Sequence, residues 1–337
     1  ENAMIRKAHI AVCNDDIRTL YYDYEVLFDL LKVLPPQSMR YQRILKALEQ
    51  VSALMMDFAK NIGTARNLLQ PLLAKKNGRT TLLVTAIGHA HMDLAWLWPI
   101  RETIRNGART FATAIELIER YPDYIYCASQ PQLYQWMKEY YPRLYAKIKE
   151  KIKAGRINPV GAMWVESDTN IPCGESLVRQ ILLGKQFYRQ EFGLEITNLF
   201  LPDVFGYSGA LPQILQKSDV YYFTTQKLSW NLFNKLPHHS YHWQGIDVSR
   251  VLAHMLPEET YNSAAAPHSV HALEENFRNK DTSEHALLLY GIGDGGGGPG
   301  PEHLERLARM KNLEGCCPVR QEKLETFFQH IQKEAHQ

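Results

Sequence analysis

A chain of 337 residues with 45% hydrophobic content has enough apolar material for a large buried core. Its formal charge of +2 comes without any long block of like charge, so it implies neither a nucleic-acid partner nor an anionic membrane surface. No run approaches the roughly 18 apolar residues of a membrane span, and Glu1-Asn2-Ala3-Met4 lacks the regions of a signal peptide. The five cysteines form no C-x-x-C pair, and their odd number argues against a disulfide framework; the expectation is a reducing, cytoplasmic compartment.

The first segment, 1–78, reads as a small helical linker or packing segment. Leu20, Tyr24, Leu27, Leu30 and Leu31 recur at three- and four-residue steps after a possible cap at Asp15-Asp16, and Pro35-Pro36 ends that helix. Ile44, Leu45, Leu48, Val51, Leu54 and Met55 predict a second helix. Leu68, Leu69, Leu72 and Leu73 predict a third, broken by Asn77-Gly78.

From 79 to 337 the pattern changes to short apolar runs alternating with amphipathic stretches, the signature of parallel βαβ units. The predicted strands are Thr81–Ile87, Tyr124–Ala128, Ile157–Val160, Asn198–Leu201, Val220–Thr225, Val251–His254 and Ala286–Tyr290. Phe111–Tyr121, Leu133–Ala154, Ser176–Phe192 and Gln321–Ala335 are predicted helices. Seven such units fit an α/β fold closed, or nearly closed, as a seven-stranded (β/α) barrel.

Polar clusters follow the runs one after another, and in parallel α/β folds the C-terminal strand ends open on one face, where sites are built. The first cluster is His89-Ala90-His91-Met92-Asp93. Alternate side chains of an extended segment point the same way, so His89, His91 and Asp93 can converge as half of a metal site, with neutral imidazole and carboxylate both suited to zinc. Asp203 lies between an apolar strand and a Gly-rich turn, as a possible ligand, nucleophile or both. Asp294 sits among Gly293, Gly295, Gly296, Gly297 and Gly298, a predicted flexible loop carrying a second acid for the pair that glycosidic cleavage requires. Trp96, Trp164, Phe205 and Tyr261 offer aromatic faces to a sugar ring, while Gln130, Glu166 and Asp168 offer hydrogen bonds.

Taken together, His89–Trp96, Trp164–Asn170, Leu201–Ser208, Trp230–Lys235 and Gly293–Gly298 resemble glycoside hydrolase family 38, the zinc-dependent retaining alpha-mannosidases. The helical segment before the barrel is similar to the stretch that precedes the catalytic domain in longer members. The resemblance implies that His91, Asp93 and Asp203 bind zinc, with His89 in support. It further implies that Asp203 attacks the anomeric carbon, that Asp294 is the acid/base with Asp168 the next candidate, and that the substrate is a mannose-containing oligosaccharide. The family completes its metal site with a His in a motif resembling His-Arg-Gly-Thr. No such motif occurs here, and His330 and His336 are poor substitutes, so the resemblance implies a central piece of a longer polypeptide. Two other readings stand beside it: a non-catalytic carbohydrate-binding fragment with an incomplete metal site, and a zinc-dependent polysaccharide deacetylase whose metal activates water.

Overall fold

The computed structural model describes residues 7, 8, 10–78 and 82–334, so Thr81, Ala335 and His336 of the sequence reading lie outside the described residues. The chain divides into two compact units, one up to Lys76 and one from Asn77. In the first, helices α1 (Asp15–Leu31), α2 (Met39–Leu54) and α3 (Phe58–Leu73) pack on one another through Leu20, Leu27, Leu30, Ile44, Leu48, Val51, Ala65 and Leu69, all buried. The α1 cap is Asn14, whose side-chain oxygen accepts from the amides of Asp16 and Ile17 at 3.0 and 3.1 Å. Asp15 and Asp16 stand in the first turn instead, where their charge complements the helix dipole.

The second unit contains strands β1 (Leu83–His89), β2 (Tyr126–Ala128), β3 (Ile157–Pro159), β4 (Asn198–Leu201), β5 (Tyr222–Thr225), β6 (Ser240–Gln244), β7 (Arg250–Met255), β8 (His285–Tyr290) and β9 (Val319–Gln321). Every predicted run carries a strand, and those seven strands are mutually parallel wherever they pair. They do not form the closed seven-stranded ladder that was expected. One sheet runs β3-β2-β1-β8, with β9 also on β1, and the other runs β4-β5-β7-β6, where β6 is antiparallel to β7. At one seam β3 ends on Pro159, which has no N–H to extend a ladder, and β4 is reached through loop contacts such as Ala162 N to Asn198 O at 2.9 Å. At the other, Ser263 bridges to Tyr290 of β8 from a loop after β7.

Helices α4 (Ile100–Arg120), α5 (Pro131–Tyr140), α6 (Pro142–Lys153), α7 (Gly174–Phe192), α8 (Leu211–Gln216), α9 (Pro267–Asn276) and α10 (Pro301–Met310) fill the connections. The single helix expected over 133–154 is two, because Pro142 removes a backbone donor and forces Tyr141 out of the helical region. The last predicted helix begins later, as α11 (Leu324–Glu334), after β9 has taken 319–321. Its Leu324, Phe327, Phe328 and Ile331 share one core with Ile87, Val160, Phe200, Leu252, Leu287 and Leu289 from the strands. Glu325 takes a hydrogen bond from Asn198 at the start of β4, and Glu334 is 2.7 Å from His285 at the start of β8. The helix therefore lies across the N-terminal ends of the strands and leaves the C-terminal ends open.

Gly184 of α7 marks a close approach on that open side. A Cβ there would strike the carbonyl oxygen of Ala162 and lie 2.8 Å from the Met163 carbonyl carbon. Both neighbours are backbone and cannot turn aside, so Gly184→Ala is expected to destabilise the fold by about 1–3 kcal/mol, read as a lowered denaturant midpoint at unchanged slope.

Candidate active site

The side chains that meet at the open face come from four strand ends. His91 follows β1, Glu166 follows β3, Asp203 follows β4 and Lys227 follows β5. His91 donates from Nδ1 to Glu166 Oε2 at 2.7 Å, and Glu166 Oε1 accepts from Ser129 Oγ. Gln130 ties the same pair of loops from behind. Its Nε2 donates to Met92 O at 2.9 Å, and its Oε1 accepts from Glu166 N at 3.0 Å. With Nδ1 committed, the other imidazole nitrogen is aimed into the site. His91 Nε2 lies 3.2 Å from Asp203 Oδ2 and 3.5 Å from Asp93 Oδ1. It is buried, and these approaches lack hydrogen-bond alignment, so the contact is electrostatic.

Charge dominates this spot. Burial alone would lower the pKa of His91, but Glu166 on one side and Asp203 and Asp93 on the other hold it well above the ordinary imidazole range. Burial also works against the charge on Asp203, yet His91 and Lys227 together hold its carboxyl below the usual range. His89 behaves differently: its ring is buried beside Phe200 and Tyr261, Nε2 donates to Tyr261 O at 2.6 Å, and burial depresses its pKa to about 4. It is a neutral support for the His91 loop.

Asp294 arrives on the glycine-rich loop after β8. That loop is pinned at several backbone points: Asp93 N donates to Asp294 O at 2.8 Å, Gly297 N donates to Thr110 Oγ1 at 2.9 Å, and Met92 bridges to Gly295. The loop expected to be flexible is thus bonded to the loop carrying His91 and Asp93. Asp294 itself has φ 57°, in the left-handed region that Asp tolerates better than most residues. Its Oδ1 accepts from the Tyr261 hydroxyl at 2.9 Å. Burial and the neighbouring charges of Asp203 and Asp294 raise the pKa of Tyr261, so the phenol stays protonated. His91, Asp203 and Asp294 each bring a ligand-type atom within 4.8 Å of the other two. A buried imidazole nitrogen without a hydrogen-bond partner, facing carboxylate oxygens, is a donor set that suits zinc.

The profile of the glycosyl hydrolases family 38 N-terminal domain matches residues 81–337. The chain belongs to glycosyl hydrolase family 38. It is 39% identical over 334 residues to alpha-mannosidase 2C1 of Homo sapiens, covering 99% of this chain and 32% of that protein. It is 40% identical over 333 residues to alpha-mannosidase G of Dictyostelium discoideum, covering 97% and 30%. The chain therefore spans about a third of the length of these relatives. Among solved structures, an alpha-mannosidase from Enterococcus faecalis V583 shares the fold, with TM-score 0.63 and 18% identity over 77% of this chain and 30% of that one.

Within this family 38 chain the residues expected to touch sugar divide into two groups. Phe205 is exposed and stands edge-on to Trp230 at 6.1 Å, and Tyr261 reaches the site through its hydroxyl. Trp96 is exposed beside Trp98, with no contact to the carboxylate group among those described. Trp164 turns away, donating from Nε1 to Gln132 and packing on Phe187 of α7. Asp168 accepts from the amides of Asn170 and Ile171 at 2.8 Å each and so caps its own exposed turn. Glu166 and Gln130 have their polar atoms engaged inside the framework. The residue that sequence reasoning passed over is Lys227, in the polar stretch directly after β5. A lysine directly after a strand that ends on the site face, with Trp230 one turn on, was the available signal.

Because both ends of the Gln130 amide serve the framework, Gln130→Ala is expected to act on stability before substrate affinity. It leaves Met92 O and Glu166 N unpaired, at about 1–3 kcal/mol for each buried group. A denaturation midpoint that falls while KM stays near the unmutated value checks this. A large rise in KM at unchanged stability would return Gln130 to the sugar.

Proposed function

We propose that the chain is the bond-cleaving part of a retaining alpha-mannosidase that removes terminal alpha-linked mannose from oligosaccharides, in a cytoplasmic setting. The observation that carries this is the approach of the half-buried Asp203 and Asp294 carboxylates beside buried His91, with ligand-type atoms no more than 4.8 Å apart. A carboxyl pair separated by about 5–5.5 Å is the spacing for a double displacement, whereas inversion leaves room for a water at about 6.5–9.5 Å. The family membership and the name alpha-mannosidase on the relatives support the substrate class.

In this reading Asp203, held ionised by the Lys227 ammonium, attacks the anomeric carbon and forms an ester bond to the sugar. Asp294, oriented by the Tyr261 hydroxyl, gives its proton to the departing glycosidic oxygen. In the second step Asp294 takes a proton from water, which attacks the same carbon and releases Asp203, so two inversions give net retention. His91, Asp93 and Asp203 would hold zinc, leaving Asp294 to the leaving group; the bound ion supplies an electrostatic grip on ring hydroxyls that helps position and distort the sugar. Phe205 offers an aromatic face beside the nucleophile.

The test uses the full-length polypeptide with an aryl alpha-mannoside and an oligosaccharide. Proton NMR of the first product is expected to show the alpha anomer, and Asp203→Ala should abolish turnover. Asp294→Ala should slow the oligosaccharide by about 10²–10⁴-fold and the activated aryl substrate much less in its first step, with azide restoring turnover as an alpha-mannosyl azide. Removal of metal by a chelator should stop the reaction, and zinc should restore it. A beta-anomeric product, or a fully active Asp203→Ala, defeats the proposal.

A further inference from the structure

The steps above give Lys227 only a share in keeping Asp203 charged, yet its surroundings are more specific than that. Its side chain is 4% exposed and its ammonium pairs with Asp203 Oδ1, while His91 Nε2 faces Oδ2 of the same carboxylate at 3.2 Å. Around it stand aromatic rings, with centroids 3.2 Å away at Trp230, 4.7 Å at Phe205 and 5.5 Å at Tyr261. A lysine is normally a long, mobile, strongly hydrated charge. Here the ring faces hold the ammonium by cation–π attraction and stand where its water would be.

We propose that Lys227 is a positioning residue for the Asp203 carboxylate: its ammonium draws Oδ1 against the aromatic wall, leaves Oδ2 toward His91 Nε2, and thereby opposes metal binding at that site. The inference rests on the zinc reading above. Its physical basis is that a fixed positive charge bonded to a metal ligand repels the ion that shares the ligand, and repulsion inside a partly desolvated pocket is weakly screened. The same ion pair, held by the rings around the ammonium, draws one oxygen of the carboxylate to a fixed side and so restrains the aim of the nucleophile. Lys227 thus trades affinity for the ion against alignment of the nucleophile. A lysine that merely filled space would do neither.

The two roles separate because they move metal affinity and turnover in opposite directions, whereas damage to the fold lowers both. In the full-length protein, zinc affinity is measured by competition with a chromophoric chelator, alongside kcat and KM on an aryl alpha-mannoside with zinc saturating. Lys227→Met, which keeps the length of the side chain and removes the charge, is expected to bind zinc at least tenfold tighter while kcat falls and KM changes little. Lys227→Arg, which keeps the charge, should hold zinc affinity within about threefold of the unmutated protein. Should Lys227→Met fail to fold, Trp230→Leu at its exposed position loosens the ammonium and is expected to tighten zinc by about threefold. Unchanged or weaker zinc binding in folded Lys227→Met, or an unshifted Trp230→Leu, overturns the inference while leaving the zinc reading intact. An unmutated protein that takes up no zinc overturns both.

Discussion

A line of alternating charge sets the geometry of this site: Glu166, His91, Asp203 and Lys227, in that order, each on a different loop after a parallel strand. His91 and Glu166 are hydrogen-bonded, and the links from His91 to Asp203 and from Asp203 to Lys227 are ion pairs. Four buried or half-buried ionisable groups would each carry a desolvation cost alone, and a line in which opposite signs touch offsets part of it. The arrangement also explains why His91 and Asp203 shift in opposite directions, the imidazole up and the carboxyl down, although burial opposes the charged form of both.

The strands contribute by being parallel. Parallel strands gather all their C-terminal ends on one side, so residues as distant in sequence as His91 and Lys227 both reach Asp203 without any long excursion of the chain. The opposite side is closed by α11, whose phenylalanines complete the core and whose Glu325 and Glu334 meet the strand beginnings. One end of the sheet pair is therefore committed to stability and the other to chemistry. The seams between the two sheets fit this division, because the chain passes from β3 toward β4 through the turn that carries Glu166, and from β7 toward β8 through the loop that carries Tyr261. Regular pairing is lost where loops must reach the site.

The seven parallel strands were legible because each is a compact apolar run followed by polar residues, a pattern that burial on both faces produces directly. His91, Asp93, Asp203 and Asp294 were legible for a related reason: ionisable residues immediately after such runs have few places to go except the open face. What escaped depends on partners far away in sequence. β6 is short and half-exposed, and only its antiparallel pairing with β7 makes it a strand. Glu166 offered itself as a sugar-binding carboxylate, and no local feature marks Ser129 and His91 as the atoms that occupy it. Lys227 is similarly silent, since its meaning comes from Trp230 and Phe205 closing around it.

The pinned glycine loop shows how position can matter more than mobility. Gly296 has φ 78°, and an added Cβ would stand 2.7 Å from both Met92 Cε and Thr110 Oγ1, so the glycine allows the loop to lie directly on the His91 loop and on α4. The backbone then leaves Asp294 in a left-handed conformation, which costs a non-glycine residue something, and the Tyr261 hydroxyl and the Asp93 amide hold it there from either side. A loop free to move would not need two independent anchors on one aspartate. Anchoring Asp294 to the backbone of Asp93 makes the second carboxylate move with the first half of the site, so its separation from Asp203 is set by strands β1 and β4 and not by the loop itself.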